Sequence, residues 1–247
     1  MAYTNHAFCW HGVVSTDTES TRAFLCEVLG WRAQQMQMGD ETSTMFVAAD
    51  VPRAHLREPG MPGEPSHIVN YLRVDDVDAS TAAAEANGGR VLVPGTDIAP
   101  GRFSVVTSPS GAAVALFKEA DDSAQNAPSG PGSFAWVELH SKDIDADNAW
   151  LTATFGFEIE EMPMPNGPYF ILKHDGEMRG GTMTQEHAEA PAMWLAWIDV
   201  DDVDATVERA RSHGGAVHAE PFDVPGVGRL SIIADPVGVV LGVMKGA

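Results

Sequence analysis

The stretch Val74-Asp75-Asp76-Val77-Asp78-Ala79 decides how this chain is organised, because the same six residues return 126 positions later as residues 200–205. Gly88-Gly89 recurs as Gly214-Gly215 at the same offset. A repeat of this length has the size of a domain and is much longer than a solenoid repeat. The 247-residue chain is therefore a tandem duplication.

Composition and charge narrow the classes of function. The chain is 44% hydrophobic but has no apolar run long enough to span a bilayer, so we expect no membrane partner. Its net charge of −20 repels phosphate backbones, so nucleic acid is not an expected partner. The N-terminal residues lack the pattern of a signal peptide, and Cys9 and Cys26 are too few for a disulfide scaffold. These features together predict a cytoplasmic protein.

Local patterns predict the same series of elements in both copies. Asp17 is expected to cap the first helix, which ends at Gly30. Asp75 or Asp76 is expected to cap the second helix, which ends at Gly88-Gly89. Each helix follows one strand and precedes several others, which predicts an α+β fold of four successive β-α-β-β-β modules. Residues 119–133 are rich in Ala, Ser, Pro and Gly, so we expect a linker there between domains 1–118 and 134–247.

These signals resemble the vicinal oxygen chelate superfamily, which includes glyoxalase I, bleomycin-resistance proteins and extradiol dioxygenases. The resemblance rests on Trp10 and Trp136 at the start of modules, on Gly30-Trp31 and Gly156-Phe157 after the first helices, and on the repeated hexapeptide. The chain looks most similar to fused two-domain, glyoxalase-like proteins of actinobacteria. The resemblance implies two tandem glyoxalase-like domains and a divalent metal held by His, Glu or Gln.

The family's ligand spacing, applied to this chain, falls on residues that do not bind metal ions. The positions are Trp10, Val69, Ala115, Trp136, Leu195 and Gly242. An indole N–H is only a donor, and the other side chains carry no ligand atom. Only His55 and Glu177 lie near the remaining, poorly aligned position. We therefore expect neither a metal nor another cofactor.

Strand alternation predicts which side chains line the cup formed by the modules. Val137 and Leu139 should face the helix, which places Trp136, Glu138 and His140 on the opposite face. The same parity predicts a set of ligand-binding residues: Trp10, Tyr71, Arg73, Phe117, Trp136, Trp197 and Asp199. Ala113, Ala115 and Gly242 are expected to leave room between the rings. A flat, largely apolar molecule fits such a slot, whereas the alternative is that these aromatic residues simply fill a core.

Two polar residues on this face are candidates for catalysis. Glu138 and His140 are two positions apart and are expected to act as acid and base, with Arg73 and Asp199 orienting the ligand. The alternative for His140 is a solvated strand end. His11 is interpreted as a structural histidine, and no nucleophile is assigned.

The sequence thus predicts a protein that binds a small aromatic or apolar molecule and carries out cofactor-free acid–base chemistry. The alternative is a metal-dependent lyase or dioxygenase of the same superfamily. The ligand, the oligomeric state and the pairing of modules within or across the repeats remain open at this point.

Overall fold

The computed structural model describes residues 6–38, 41–120, 129–164 and 167–247. Module one contains β1 (Phe8–Val14), α1 (Thr18–Leu29), β2 (Arg32–Met38), β3 (Glu41–Ala48) and β4 (Val51–Arg57). Module two contains β5 (His67–Arg73), α2 (Val77–Ala86), β6 (Arg90–Ile98), β7 (Gly101–Thr107) and β8 (Ala113–Glu119). Module three contains β9 (Phe134–Ser141), α3 (Ile144–Phe155), β10 (Glu158–Met164), β11 (Gly167–His174) and β12 (Glu177–Thr184). Module four contains β13 (Met193–Asp199), α4 (Val203–Ser212), β14 (Ala216–Val224), β15 (Gly228–Ala234) and β16 (Val240–Gly246).

The predicted order of one strand, one helix and three strands is confirmed in all four modules. The first sheet has the strand order β2-β3-β4-β1-β5-β8-β7-β6, and the second has the order β10-β11-β12-β9-β13-β16-β15-β14. In every module the first strand pairs with the last in parallel, and the other pairs within the module are antiparallel. Each sheet therefore joins the two modules of one repeat.

Aspartate side chains begin all four described helices, because each accepts a hydrogen bond from a backbone N–H in the first turn. The capping residues are Asp17, Asp76, Asp143 and Asp202. The predicted capping role of the repeated Asp-Asp pairs is thus confirmed. Gly30 and Gly156 end α1 and α3 at φ angles of 69° and 70°, in the left-handed region that glycine adopts without strain. No helix in the described ranges has the length and apolar character needed to cross a membrane.

The chain divides into two compact units that do not coincide with the two repeats. Unit one contains the described residues of Met1–Cys9, Asn70–Asn126 and Trp136–Trp194, and unit two those of Trp10–Val69, Ala127–Ala135 and Leu195–Ala247. Unit one therefore joins modules two and three, and unit two joins modules one and four. The domain boundaries 1–118 and 134–247 follow the repeats and remain a prediction. Residues 121–128 of the predicted linker lie outside the described residues.

Each unit has its own apolar core, in which helices from opposite repeats pack together. In unit one, Val137 and Leu139 of β9 pack with Trp150 of α3 and Leu72 of β5. In unit two, residues of α1, α4, β13 and β15 are buried together: Phe24, Leu25, Val28, Ala196, Ile198, Val203, Val207 and Ile233. The prediction that Val137 and Leu139 of β9 face the helix is therefore confirmed.

A buried carboxylate also joins the two modules of each unit. In unit one, Asp147 of α3 is fully buried and accepts hydrogen bonds from the backbone N–H of Ser110, at 3.0 Å, and from the hydroxyls of Ser110 and Ser141. In unit two, the carboxylate is that of Asp235, and Thr21 of α1 donates its hydroxyl to it. Thr21 and Asp147 occupy equivalent positions in the two repeats. In unit one the acidic residue lies on helix α3, whereas in unit two it lies in the turn between β15 and β16.

Candidate functional site

Strand β9 of unit one presents Trp136, Glu138 and His140 on one face, because alternate residues of a strand point the same way. The intervening Val137 and Leu139 are buried in the core on the other face. Glu138 is itself only 6% exposed, whereas Trp136 and His140 are half-buried. The strand thus places an aromatic ring, a carboxylate and an imidazole in one row.

Tyr169 of β11 links this row into a continuous hydrogen-bonded chain. Trp136 Nε1 donates to Tyr169 Oη at 2.7 Å, and Tyr169 Oη donates to Glu138 Oε2 at 2.9 Å. Glu138 Oε1 lies 2.8 Å from His140 Nε2. These four residues are called the β9 array below.

The hydrogen bonds of the β9 array determine which of its polar atoms donate and which accept. Each oxygen of Glu138 accepts one hydrogen bond, which offsets the cost of burying a carboxylate. Burial raises the pKa of the Tyr169 phenol far above its ordinary value, and the charge of Glu138 raises it further, so Tyr169 remains a donor. Since a carboxylate only accepts, the proton of the His140 ring lies on Nε2, and in the neutral ring Nδ1 carries the lone pair.

A glycine on the neighbouring strand makes the array sterically possible. Gly181 of β12 pairs with Glu138, and a Cβ at this position would lie 2.0 Å from Tyr169 Oη. Sequence reasoning missed Tyr169 because its contact depends on strand register. The signal that points to it is the Gly180-Gly181 pair within a strand, since glycine inside a strand often marks close approach of another group.

Module one, in unit two, has an equivalent site. Its polar side chain lies on the last strand of the module, β4, and not on the first strand, β1. Gly12 occupies the position of Glu138, and His55 occupies that of Gly181. Trp10 Nε1 donates to His55 Nδ1 at 2.9 Å. Gly12 pairs with His55, and a Cβ there would lie 2.6 Å from the His55 ring. Burial and, to a smaller extent, the charge of Arg57 lower the pKa of His55 to about 4, so its Nδ1 is a hydrogen-bond acceptor at neutral pH.

Module two contributes a second polar and aromatic group to unit one. Tyr71 and Phe117 meet edge to face with their ring centroids 6.2 Å apart, and Tyr71 pairs with Ala115. Arg73 forms a buried ion pair with Glu119, the last residue of β8. The guanidinium that was expected to orient a ligand therefore already has a carboxylate partner.

Module four contributes Trp197 and Asp199 to unit two. Trp197 is only 4% exposed and its indole covers Gly242, because a Cβ at Gly242 would lie 2.2 Å from the ring. The space that was expected to remain open beside Gly242 is therefore filled by the protein itself. The backbone of Asp199 exchanges hydrogen bonds with Gly132 and Ser133, at 2.7 and 2.9 Å.

Two residues without a predicted chemical role are packed into their units. His11 stacks on Phe134 with ring centroids 3.5 Å apart, which confirms that its ring packs inside the structure. The Cys9 thiol lies 3.4 Å from the carbonyl oxygen of Tyr71, and burial raises its pKa far above the ordinary value. A thiol in that state is a poor nucleophile.

The donor atoms needed for the family's metal are not found at the expected positions. Trp10, Val69, Ala115, Trp136, Leu195 and Gly242 supply no ligand atom, and Nδ1 of His55 already faces the N–H of Trp10. Glu177 is exposed at the start of β12. Within the described ranges, no three His, Cys, Asp or Glu side chains form a group that could hold a metal ion. The residues present therefore do not fit the metal that the family implies.

The fold and this arrangement of modules agree with a comparison against protein families. The model of the Glyoxalase/Bleomycin resistance protein/Dioxygenase superfamily matches residues 5–116 and 133–243. The two matches cover most of both repeats. The chain belongs to this superfamily.

Particular members of the superfamily resemble the chain over nearly its whole length. CFP32 of Mycobacterium tuberculosis, named as a glyoxylase, is 33% identical over 249 residues, which are 96% of this chain and 94% of CFP32. The anthracycline biosynthesis protein DauV of Streptomyces sp. is 30% identical over 257 residues, covering 96% of this chain and 92% of DauV. A Mn(II)-bound glyoxalase from Novosphingobium aromaticivorans shares the fold with a TM-score of 0.66 and 19% identity, over 99% of this chain and 83% of that one.

Proposed function

We propose that the chain binds a flat, largely apolar small molecule against the inner face of β9 and acts on it by acid–base chemistry without a metal. The observation that carries this proposal is the β9 array, in which an aromatic ring lies beside a buried carboxylate–imidazole pair. A core that only required apolar filling would not bury Glu138, because a buried carboxylate costs free energy even when it is paired.

Trp136 supplies the aromatic surface in this proposal. Its Nε1–H bond to Tyr169 fixes the plane of the indole, and its half-buried ring keeps part of its surface accessible. Stacking between two rings contributes about 0.5–1.5 kcal/mol beyond the burial of apolar area. A ring held in place in advance also loses little conformational entropy when a ligand binds.

Glu138 and His140 have different roles in the proposed chemistry. Both oxygens of Glu138 are already engaged, so the carboxylate orients His140 rather than meeting the ligand. His140 Nδ1 is then the atom that accepts a proton from a ligand hydroxyl or an acidic C–H group. An anionic ligand is disfavoured because it would approach the charge of Glu138.

The name of one relative supports a flat ligand. DauV is named for anthracycline biosynthesis, and anthracyclines contain a planar, fused-ring core. An array with one aromatic wall and a proton acceptor suits a hydroxylated ring system of this kind. Within unit one, we extend the proposed binding role to Tyr71, Arg73 and Phe117 of module two. Trp10, Trp197 and Asp199 lie in unit two, so a binding role for them would belong to a separate site and remains a prediction.

The competing proposal is a metal-dependent lyase or dioxygenase, which membership of the superfamily favours. Elemental analysis of protein purified without chelator distinguishes the two proposals. We expect less than about 0.1 transition-metal ion per chain and no loss of ligand binding on chelation. About one ion per chain, with activity lost on chelation, would support the metal-dependent reaction.

The Glu138→Gln variant separates binding from catalysis, because it preserves the shape of the side chain and removes its charge. The probes are 1,8-dihydroxyanthraquinone and unsubstituted anthraquinone, titrated by tryptophan fluorescence, with mass spectrometry of the probes after incubation. We expect the variant to keep its affinity within about threefold and to lose turnover of any probe that the wild type converts. Conversion that is equally fast in both proteins would contradict the acid–base role.

A further inference from the structure

The outer strands of the two sheets differ in how far they are protected against pairing with another chain. The four outer strands are β2 and β6 in the first sheet and β10 and β14 in the second. An edge strand presents backbone N–H and C=O groups to which a further strand can bind. Proteins usually block such edges with proline, charge or bulges.

Three of the four edges carry these protecting features. Strand β6 contains Pro94 and an aspartate, and its pairing with β7 has register shifts. Strand β14 contains Pro221 and two acidic residues, and its pairing with β15 is also shifted. Strand β10 contains Pro163 and three glutamates. Each of these edges would interrupt or repel an added strand.

Strand β2 lacks the proline, the acidic residues and the register shifts of the other three edges. Its sequence, Arg-Ala-Gln-Gln-Met-Gln-Met, contains no proline and no acidic residue. It pairs with β3 through seven consecutive residues without a register shift. Gln34, Gln35 and Gln37 are exposed, and the charge of Arg32 is paired with Asp50. The edge is therefore regular and almost uncharged.

We propose that β2 is an interaction surface and that its partner is β2 of a second copy of this chain, paired antiparallel. A strand that pairs with itself across a twofold axis places its central residue opposite its own copy, and Gln35 is the middle residue of Arg32–Met38. Gln35 Nε2 donates one hydrogen bond to Thr44 Oγ1 of β3 at 2.9 Å. The second N–H and the carbonyl oxygen of the amide can donate to and accept from the facing glutamine, so this contact is self-complementary.

The charge of the molecule favours a second copy over other partners. Two chains of net charge −20 repel each other at their acidic edges and can approach where acidic residues are absent. A basic partner would instead be drawn to the acidic edges β10 and β14. At about 3.3 Å per residue, a seven-residue strand forms a short contact, so the dimer is reversible and depends on concentration.

Sedimentation velocity tests this pairing with charge substitutions at Gln35. We expect the wild type to dimerise reversibly, and Gln35→Glu and Gln35→Lys each to weaken the dimer at least tenfold, because like charges then lie opposite each other. An equimolar mixture of the two variants should recover dimers, since opposite charges then meet. The control is Glu161→Lys on β10, which should leave the dimer unchanged.

Hydrogen exchange of the wild-type protein tests the same contact without any substitution. The amides of β2 should become more protected as the protein concentration rises, and those of β10 should not. A wild type that stays monomeric up to several hundred micromolar, or a dimer that persists in both Gln35 variants, overturns the proposal. Failure of the mixture to recover dimers, with both variants folded by circular dichroism, overturns it as well.

Discussion

At the scale of single residues, the two repeats differ by an exchange of side chains across one pair of strands. Module three has Glu138 opposite Gly181, whereas module one has Gly12 opposite His55. In each case the glycine provides the space that the polar side chains need. Duplication has thus given the same backbone two different buried polar groups, a carboxylate in unit one and a neutral imidazole in unit two.

The buried imidazole of His55 predicts a loss of stability in acid. Its pKa of about 4 lies below the ordinary value of 6.5, so the unfolded chain takes up this proton first as the pH falls. The contribution to stability is complete above pH 6.5 and is lost as the pH falls towards 4. At pH 5 this group alone should lower the free energy of unfolding by about 2 kcal/mol.

Urea denaturation of the wild type and of His55→Gln at pH 7.5 and pH 5 checks this effect. Glutamine can still accept the hydrogen bond from Trp10 but does not titrate, so the variant should lose less stability between the two pH values. The pKa of His6 is also lowered to about 4, and this contribution is common to both proteins. An equal loss of stability in both proteins would show that His55 is not the responsible group.

Alternation along β9 was sufficient to predict from sequence that Trp136, Glu138 and His140 share one face. Tyr169 could not be predicted in this way, because its contact with Glu138 requires the pairing of β11, β12 and β9 in one register. The ring of Trp197 above Gly242 shows the same limit, since the sequence does not indicate which side chain fills the space beside a small residue.

At the scale of elements, the N-terminal turn of α3 is attached to the turn between β7 and β8 by the buried carboxylate of Asp147. Replacing Asp147 by alanine leaves the N–H and hydroxyl of Ser110 and the hydroxyl of Ser141 without this acceptor. We expect Asp147→Ala to lower the free energy of unfolding by about 2–5 kcal/mol. Chemical denaturation measures the loss.

Asp145→Ala is the matched control for this prediction. Asp145 lies in the same helical turn but is exposed, so its replacement should cost less than about 1 kcal/mol. Similar losses in the two variants would mean that the buried carboxylate contributes nothing beyond the helix dipole. The helices and their caps were predicted from sequence because capping is a local interaction, whereas this contact joins residues 37 positions apart.

At the scale of the whole molecule, each compact unit is assembled from modules of both repeats. The core of unit one contains residues of modules two and three, and the core of unit two contains residues of modules one and four. The 126-residue repeat shows that the sequence is duplicated, but it does not show which modules share a core. Modules of the same repeat and modules of opposite repeats could both pair through the same helix faces.

This exchange predicts that the repeats do not fold separately. We expect fragments 1–128 and 129–247 to lack a cooperative unfolding transition when alone, because each loses the residues that the other repeat supplies to both apolar cores. Mixing the fragments should restore the transition and the near-ultraviolet circular dichroism. A cooperative transition of either fragment as a monomer would contradict this prediction.

The affinity of a flat aromatic ligand for wild type and Trp136→Ala tests the central claim most directly. Fluorescence titration with 1,8-dihydroxyanthraquinone should show binding about 5- to 160-fold weaker in the variant, since the lost apolar contact is worth ~1–3 kcal/mol. Trp136→Phe, which keeps a ring, should retain most of the affinity. If Trp136→Ala remains folded and binds the ligand as tightly as the wild type, the face of β9 is not the binding site.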